Sequence, residues 1–162
     1  MDKETENLFR VGPKEYGERY QDHLLEQYKM YVASAEQNSS LRHSANNFFL
    51  TLNTALVSLF GILASSYTGL SKLWLQVMPL AGILICWKWY ALIMSYKQLN
   101  TGKFVVIHKL EEKLPAALYD YEWDVLKKGD GTKYTPFTHI ENQIPKIFIL
   151  LYIALALISI LV

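Results

Sequence analysis

The sequence contains a single cysteine, Cys86, so no disulfide can close within the chain and no cysteine-based metal framework can form. HExxH, CxxC and a Gly-rich phosphate loop are all missing. The four histidines, His23, His43, His108 and His139, show no metal-ligand spacing. The expectation is therefore a non-enzymatic protein without cofactor or metal. The formal net charge is only +1, so bulk electrostatics selects no partner. The first 44 residues are polar and lack the apolar core and cleavage site of a secretory leader. No proline falls between Pro13 and Pro79, and there is no internal repeat or low-complexity tract.

What the sequence does have is long apolar runs. Residues 145–162 (PKIFILLYIALALISILV) carry no charge after Lys146. As a helix they span roughly 27 Å, close to the hydrocarbon thickness of a bilayer. Residues 46–64 contain no charge, and residues 74–95 contain only Lys88. A soluble protein can bury one such helix, but three in 162 residues indicate membrane spans. The expected fold is all-α and integral to a membrane. It comprises an N-terminal cytoplasmic helix (1–44), transmembrane helices at 46–64, 74–95 and 145–162, and a helical cytoplasmic loop (96–144).

Lysine and arginine placement orients the spans. Six basic residues precede the first span and seven lie between Lys97 and Lys133, whereas the loop Ser65–Leu73 holds only Lys72. The predicted topology has the N-terminus and the long loop inside a bacterial inner membrane, and the C-terminus in the periplasm. In residues 1–44, eight acidic side chains against six basic ones hint at a vestibule that attracts cations.

Within the polar segments, Tyr20, Leu24, Tyr28, Tyr31 and Ala35 recur at helical spacing. They predict one helix from about Glu15 into the first span, with Asn38-Ser39-Ser40 as a weak point. Asn100-Thr101-Gly102 reads as a turn before a helix at Lys103–Lys113. Pro115 suits the first turn of a helix over Ala116–Lys128, and Gly129-Asp130-Gly131 is a turn. Thr138-His139-Ile140-Glu141 matches a capping box leading to the third span. Glu111-Glu112 reads as a solvated charge pair.

The spans carry two unusual features. Asn47, Thr51, Thr54, Ser58, Gly61 and Ser65 are spaced by four and three, which places them on one helix face with Asn46 and Asn53 adjacent. Unpaired amides are costly in hydrocarbon, so this stripe faces protein or water. Close helix packing and a water-filled pore lined by Asn47, Thr51, Thr54 and Ser58 both fit. Three helices cannot enclose a hydrated path alone, so a pore requires several copies. The third span, apolar except for Tyr152 and Ser159, is the expected lipid-facing shell. The second feature is Trp87-Lys88-Trp89-Tyr90. Counting to Lys97 sets Lys88 about 13 Å inside the membrane. Lys88 either snorkels within an aromatic belt or faces a wet cavity, where Trp87, Lys88 and Tyr90 are gate candidates.

Three strings, residues 28–61, residues 95–123 and YTPFTHIENQIPKIF, together resemble a family of small three-pass bacterial inner-membrane proteins from anti-phage defence operons. The likeness runs from about Gln27 to the third span and is strongest to the ion-channel subunits of Hailong defence systems. None of the strings is a catalytic motif. The resemblance implies a homotetrameric channel held shut by a single-stranded oligodeoxyadenylate, which a partner nucleotidyltransferase makes. Loss of that ligand on infection would open the channel and depolarise the cell. No ligand-site motif transfers by position. Oligonucleotide binding calls for cations and flat side chains. Lys103, His108, Lys109, Lys113, Lys127 and Lys128 (with Lys133) offer the first, and Tyr119 and Trp123 (with Tyr121 and Tyr134) the second. Seven acidic side chains offset seven basic ones between Lys97 and Ile144, and the same aromatics also suit helix packing. The leading expectation is a ligand-gated channel acting as a defence effector. The alternative is a non-conducting membrane anchor or sensor that recruits another protein.

Overall fold

The computed structural model describes residues 8–65 and 72–161. Residues 66–71, most of the expected outer loop, lie outside the described residues, as do residues 1–7 and Val162. The described residues are helical and contain no strand. The elements are α1 (Pro13–Tyr16), α2 (Tyr20–Ser65), α3 (Lys72–Glu111), α4 (Leu118–Val125), a 3₁₀ turn (Lys127–Gly129), α5 (Phe137–Glu141) and α6 (Gln143–Leu161).

Two helices dominate. The 46 residues of α2 and the 40 residues of α3 make rods of roughly 70 and 60 Å. Each continues from a membrane-length apolar half into a polar half, so the two form an antiparallel stalk that leaves the membrane region. Paired residues track the antiparallel run: Asn53 meets Cys86, Asn46 meets Trp89, Ser34 meets Lys103 and Tyr28 meets Glu111. Helix α6 packs on α3 along the apolar half. Three of the helices are long and apolar enough to cross a membrane.

Several expected boundaries change. The long N-terminal helix begins at Tyr20 rather than Glu15, because Gly17 adopts φ 93° and ends the short α1. Asn38-Ser39-Ser40 does not break α2: Asn38 is buried against the stalk and the Ser39 hydroxyl donates to the Ala35 carbonyl. Asn100-Thr101-Gly102 is no turn but the interior of α3, where the Thr101 hydroxyl donates to the Lys97 carbonyl one turn back. Packing against α2 on both sides of that point outweighs the local propensity for a turn. Pro115 lies in the α3–α4 connection, before the helix it was expected to open. Thr138 and Glu141 form no capping box, since α5 begins at Phe137 with Pro136 as its cap. The 3₁₀ turn ends at Gly129 with φ 69°, and Gly131, two residues on, has φ 85°.

The buried ridge of α3 explains how three apolar helices find one arrangement. Leu75, Pro79, Gly82, Cys86, Trp89 and Ile93 alternate spacings of four and three, and all are buried. Such a seam faces its partners along its whole length. At Gly82 the Tyr152 ring occupies the space a side chain would need, its Cε2 only 2.6 Å from where a Cβ would stand. Glycine at this position lets α6 approach closely. Tyr152 is 2% exposed, so α6 is not lipid-facing all round: Tyr152 and Ser159 turn inward.

Candidate functional site

Helix α2 carries polar side chains on two faces with opposite fates. The inward set is satisfied within the chain. Asn53 is fully buried and donates to the Phe49 carbonyl at 2.8 Å, while its Oδ1 accepts from Tyr152 Oη at 3.0 Å and from Cys86 Sγ at 3.1 Å. Asn46 Oδ1 accepts from Trp89 Nε1 at 2.8 Å, and the Trp89 ring stacks on Phe49. These bonds tie α2, α3 and α6 together at one level, in surroundings where a lost partner is not replaced by water.

The outward set is Asn47, Thr51, Thr54 and Ser58, all exposed. They lie about 120° round the helix from Asn53. Thr54 and Ser58 donate to the carbonyls of Leu50 and Thr54 on their own helix, and Asn47 bonds His43. Among the described residues, no other helix of the chain covers this stripe. Beside it on α2, Phe48, Leu59 and Ile62 are exposed as well, so the uncovered surface is part polar and part apolar.

The aromatic cluster of α3 splits between faces. Trp87 is 65% exposed and Lys88 is exposed, whereas Trp89 faces the core and Tyr90 is half-buried. Lys146 of α6 places its ammonium 5.4 Å above the Tyr90 ring. Lys88 therefore shares its depth with the lysine near the polar end of α6, nearer the stalk than a count to Lys97 gives. At about 30 Å from Lys72, the hydrocarbon would end near Leu92, which leaves Lys88 roughly 6 Å inside and within reach of the interface.

On the stalk, α4, the 3₁₀ turn and α5 fold back along α3 and leave a cleft of ≈ 770 Å³. His108, Tyr119, Trp123 and Lys128 line it, as does Tyr134. Arg42 and Lys97 add positive charge to the walls, His139 an imidazole, and Asp120 and Glu122 negative charge. The other ligand candidates point elsewhere. Lys103 donates to Ser34 at 2.6 Å and sits over Tyr31, Lys109 pairs with Glu112, and Lys113 covers Phe9. Lys127 occupies the left-handed turn and does not line the cleft. Several buried polar atoms at the cleft have incomplete bonding. His108 Nε2 and Asn100 Oδ1 have no partner among the described residues, and Arg42 Nε stands 3.6 Å from Glu141 Oε2, near enough for ion pairing but too far for a hydrogen bond.

One carboxylate departs from the solvated pair its sequence suggests. Glu111 is 1% exposed and not solvated, while Glu112 is its solvated neighbour. Glu111 accepts from the Tyr119 and Asp120 amides, both at 3.0 Å, and from Tyr28 Oη at 2.9 Å. It thus caps α4 from the end of α3 and ties both to α2, supplying acceptors to amides that a helix start leaves free. Burial, with the Glu111 carboxylate beside it, pushes the Tyr28 phenol well above its usual range.

Arg42, Asn53, Glu111, Trp89 and Tyr152 were not singled out from sequence as a connected set. Only the polar spacing on α2 gave a signal, and it marked the outward face. Among the described residues no group of three or more His, Cys, Asp or Glu side chains could hold a metal.

The sequence model of the octameric membrane protein family (8xMP) matches residues 25–161, most of the chain. No curated protein and no solved structure matches.

Proposed function

The chain belongs to the octameric membrane protein family and is a membrane protein, and we propose from that premise that its copies assemble into an ion channel. The observation that carries the proposal is the stripe Asn47, Thr51, Thr54 and Ser58, exposed and uncovered by the chain's other helices. Repeated around a symmetry axis, it gives a continuous hydrophilic wall, while the apolar outer faces of α3 and α6 meet lipid. The family's name favours eight copies over the four that the Hailong likeness implies. Trp87 and Lys88 lie on that outer face of α3, where the Lys88 ammonium, one turn inside the hydrocarbon, snorkels to the inner interface, and Tyr90 turns toward Lys146 of α6, so the three do not form one gate.

In this proposal the stalk is cytoplasmic, the membrane is a bacterial inner membrane, and the channel is an anti-phage effector. A nucleotide ligand, oligodeoxyadenylate from a partner nucleotidyltransferase, holds it closed. The cleft supports this part: it joins Arg42, Lys97 and Lys128 for phosphates to Tyr119, Trp123 and Tyr134 for bases.

The test is conductance. Protein reconstituted in planar bilayers is expected to pass current, and Asn47→Leu or Thr54→Leu to lower it. Oligodeoxyadenylate is expected to bind, more weakly as salt rises, and to suppress the current. A silent bilayer with verified insertion removes the channel and leaves a membrane anchor. Binding that leaves the current unchanged removes the gating alone.

A further inference from the structure

The three spanning helices are not the only part of this chain shaped to meet lipid. We propose that α5 is an amphipathic foot on the bilayer, with Phe137 and Ile140 seated in the headgroup zone of the leaflet on the stalk side and anionic lipid headgroups against the neighbouring lysines.

The first support is helical phase. Only Asn142 separates α5 from α6, and its φ of −72° and ψ of −11° keep it near helical geometry. Residues Phe137 to Ile160 accordingly count as one membrane-length helical stretch. Phe137, Ile140, Ile144, Ile147 and Leu151 follow spacings of three and four, so the lipid-facing side of α6 continues onto α5 without a change of face. Phe137 is 61% exposed, Ile140 54% and Ile147 62%, which marks one uncovered apolar stripe.

The second support is depth. About 30 Å of hydrocarbon counted from Ser65 on α2 ends near Ala45, and the Asn53–Tyr152 and Arg42–Glu141 contacts set that level near Ile144 on α6. Ile140 and Phe137 then lie about 6 Å and about 10 Å beyond that plane, in the headgroup layer and at its outer edge. There an apolar side chain can dip while its backbone stays wet.

The third support is how the foot is held. Its other side faces the stalk: Thr138 is buried, with its Oγ1 3.5 Å from Arg42 Nη1, and Glu141 ion-pairs with the same arginine. These contacts fix which face of α5 remains outward. Lys133 precedes the foot by four residues, and neither it nor Lys127 in the 3₁₀ turn has an ion-pair partner among the described residues. Basic side chains just outside a span attract anionic lipids.

The experiment uses the full chain carrying Cys86→Ser, with single cysteines introduced by Phe137→Cys, Ile140→Cys, Thr135→Cys or Ile147→Cys. Each variant is spin-labelled and reconstituted in phosphatidylcholine vesicles containing phosphatidylglycerol. Collision with oxygen reports lipid, and collision with a water-soluble nickel chelate reports solvent. Labels at 140 and 137 are expected to fall between 147 and 135, each more open to oxygen and less open to nickel than 135. Nickel access at 137 and 140 equal to that at 135 overturns the proposal in favour of a solvated surface. Shielding from both reagents overturns it in favour of a covering protein, such as a second copy. Omitting phosphatidylglycerol is expected to raise nickel access at 137 and 140, and no change there refutes the role of anionic headgroups.

Discussion

Gly82→Ala tests the packing of the membrane helices most directly, because the structure leaves no room for the added methyl. Tyr152 is itself fully buried, and its ring fills the site where the new Cβ would stand. Overpacking of a tight core costs about 1–3 kcal/mol. Moving the ring also lengthens the Tyr152 hydroxyl bond to Asn53 Oδ1, now 3.0 Å. Interhelical hydrogen bonds in membranes contribute about 0.6 kcal/mol on average and at most about 1.7 kcal/mol. The expected loss is therefore about 2–4 kcal/mol, or at least a roughly 30-fold fall in the folded-to-unfolded ratio. Unfolding in mixed micelles by titration with a denaturing detergent, followed by Trp fluorescence, measures it. Trp89 is a suitable reporter, as it lies 5.8 Å from the Phe49 ring and 6.2 Å from Phe148. Adding Tyr152→Leu removes the obstructing ring, so Gly82→Ala should then cost little, a coupling visible in the double-mutant cycle. The reasoning is refuted if Gly82→Ala matches the unaltered protein, or if its cost is the same with and without Tyr152→Leu.

Two predictions concern the stalk. Glu111→Gln keeps the shape but weakens the acceptors for Tyr119 and Asp120, so hydrogen exchange at those amides should accelerate by an amount equivalent to about 1–3 kcal/mol, with membrane-buried amides unchanged; equal protection in both proteins refutes the capping role. Tyr28 binds its proton more tightly when folded, so its contribution to stability is full below about pH 10, the ordinary phenol range, and is lost as pH rises through the higher folded value. An ultraviolet titration should then show phenol absorbance still rising above the ordinary range, and Tyr28→Phe should remove one phenol's share of that late phase.

The extent of the helices and their termini was legible to different degrees. Apolar run length located the spans well, because lipid imposes its requirement on every residue of a crossing helix. The runs did not reveal that α2 and α3 continue unbroken into the stalk. Asn100-Thr101-Gly102 carries turn-forming residues, and only the neighbouring α2 keeps that segment helical. The reverse error occurred at Thr138–Glu141, where a sequence pattern for capping coexists with a different use of the same side chains: both engage Arg42, from almost a hundred positions away. Glu111 shows the same limit. A carboxylate beside another carboxylate is indistinguishable from a solvated pair until α4 folds back and offers it two amides.

The polar residues of the first span show most clearly what a one-dimensional pattern can and cannot carry. Spacing grouped Asn47 with Thr51, Thr54 and Ser58, and set Asn46 and Asn53 beside them as mere neighbours. Physically the two groups are separated by their partners. Asn46 and Asn53 have their carbonyl oxygens engaged by Trp89, Cys86 and Tyr152, so the association of α2, α3 and α6 needs nothing further from the other stripe. If internal packing were the reason for Asn47, Thr51, Thr54 and Ser58, they would face α3 or α6, and they do not. An amide left toward lipid would cost several kcal/mol. The surfaces open to Asn47, about 3 Å inside the plane near Ala45, are the headgroup layer, another copy of the chain or water held between copies. Only the last of these yields current, and that is why the decisive measurement on this protein is electrical.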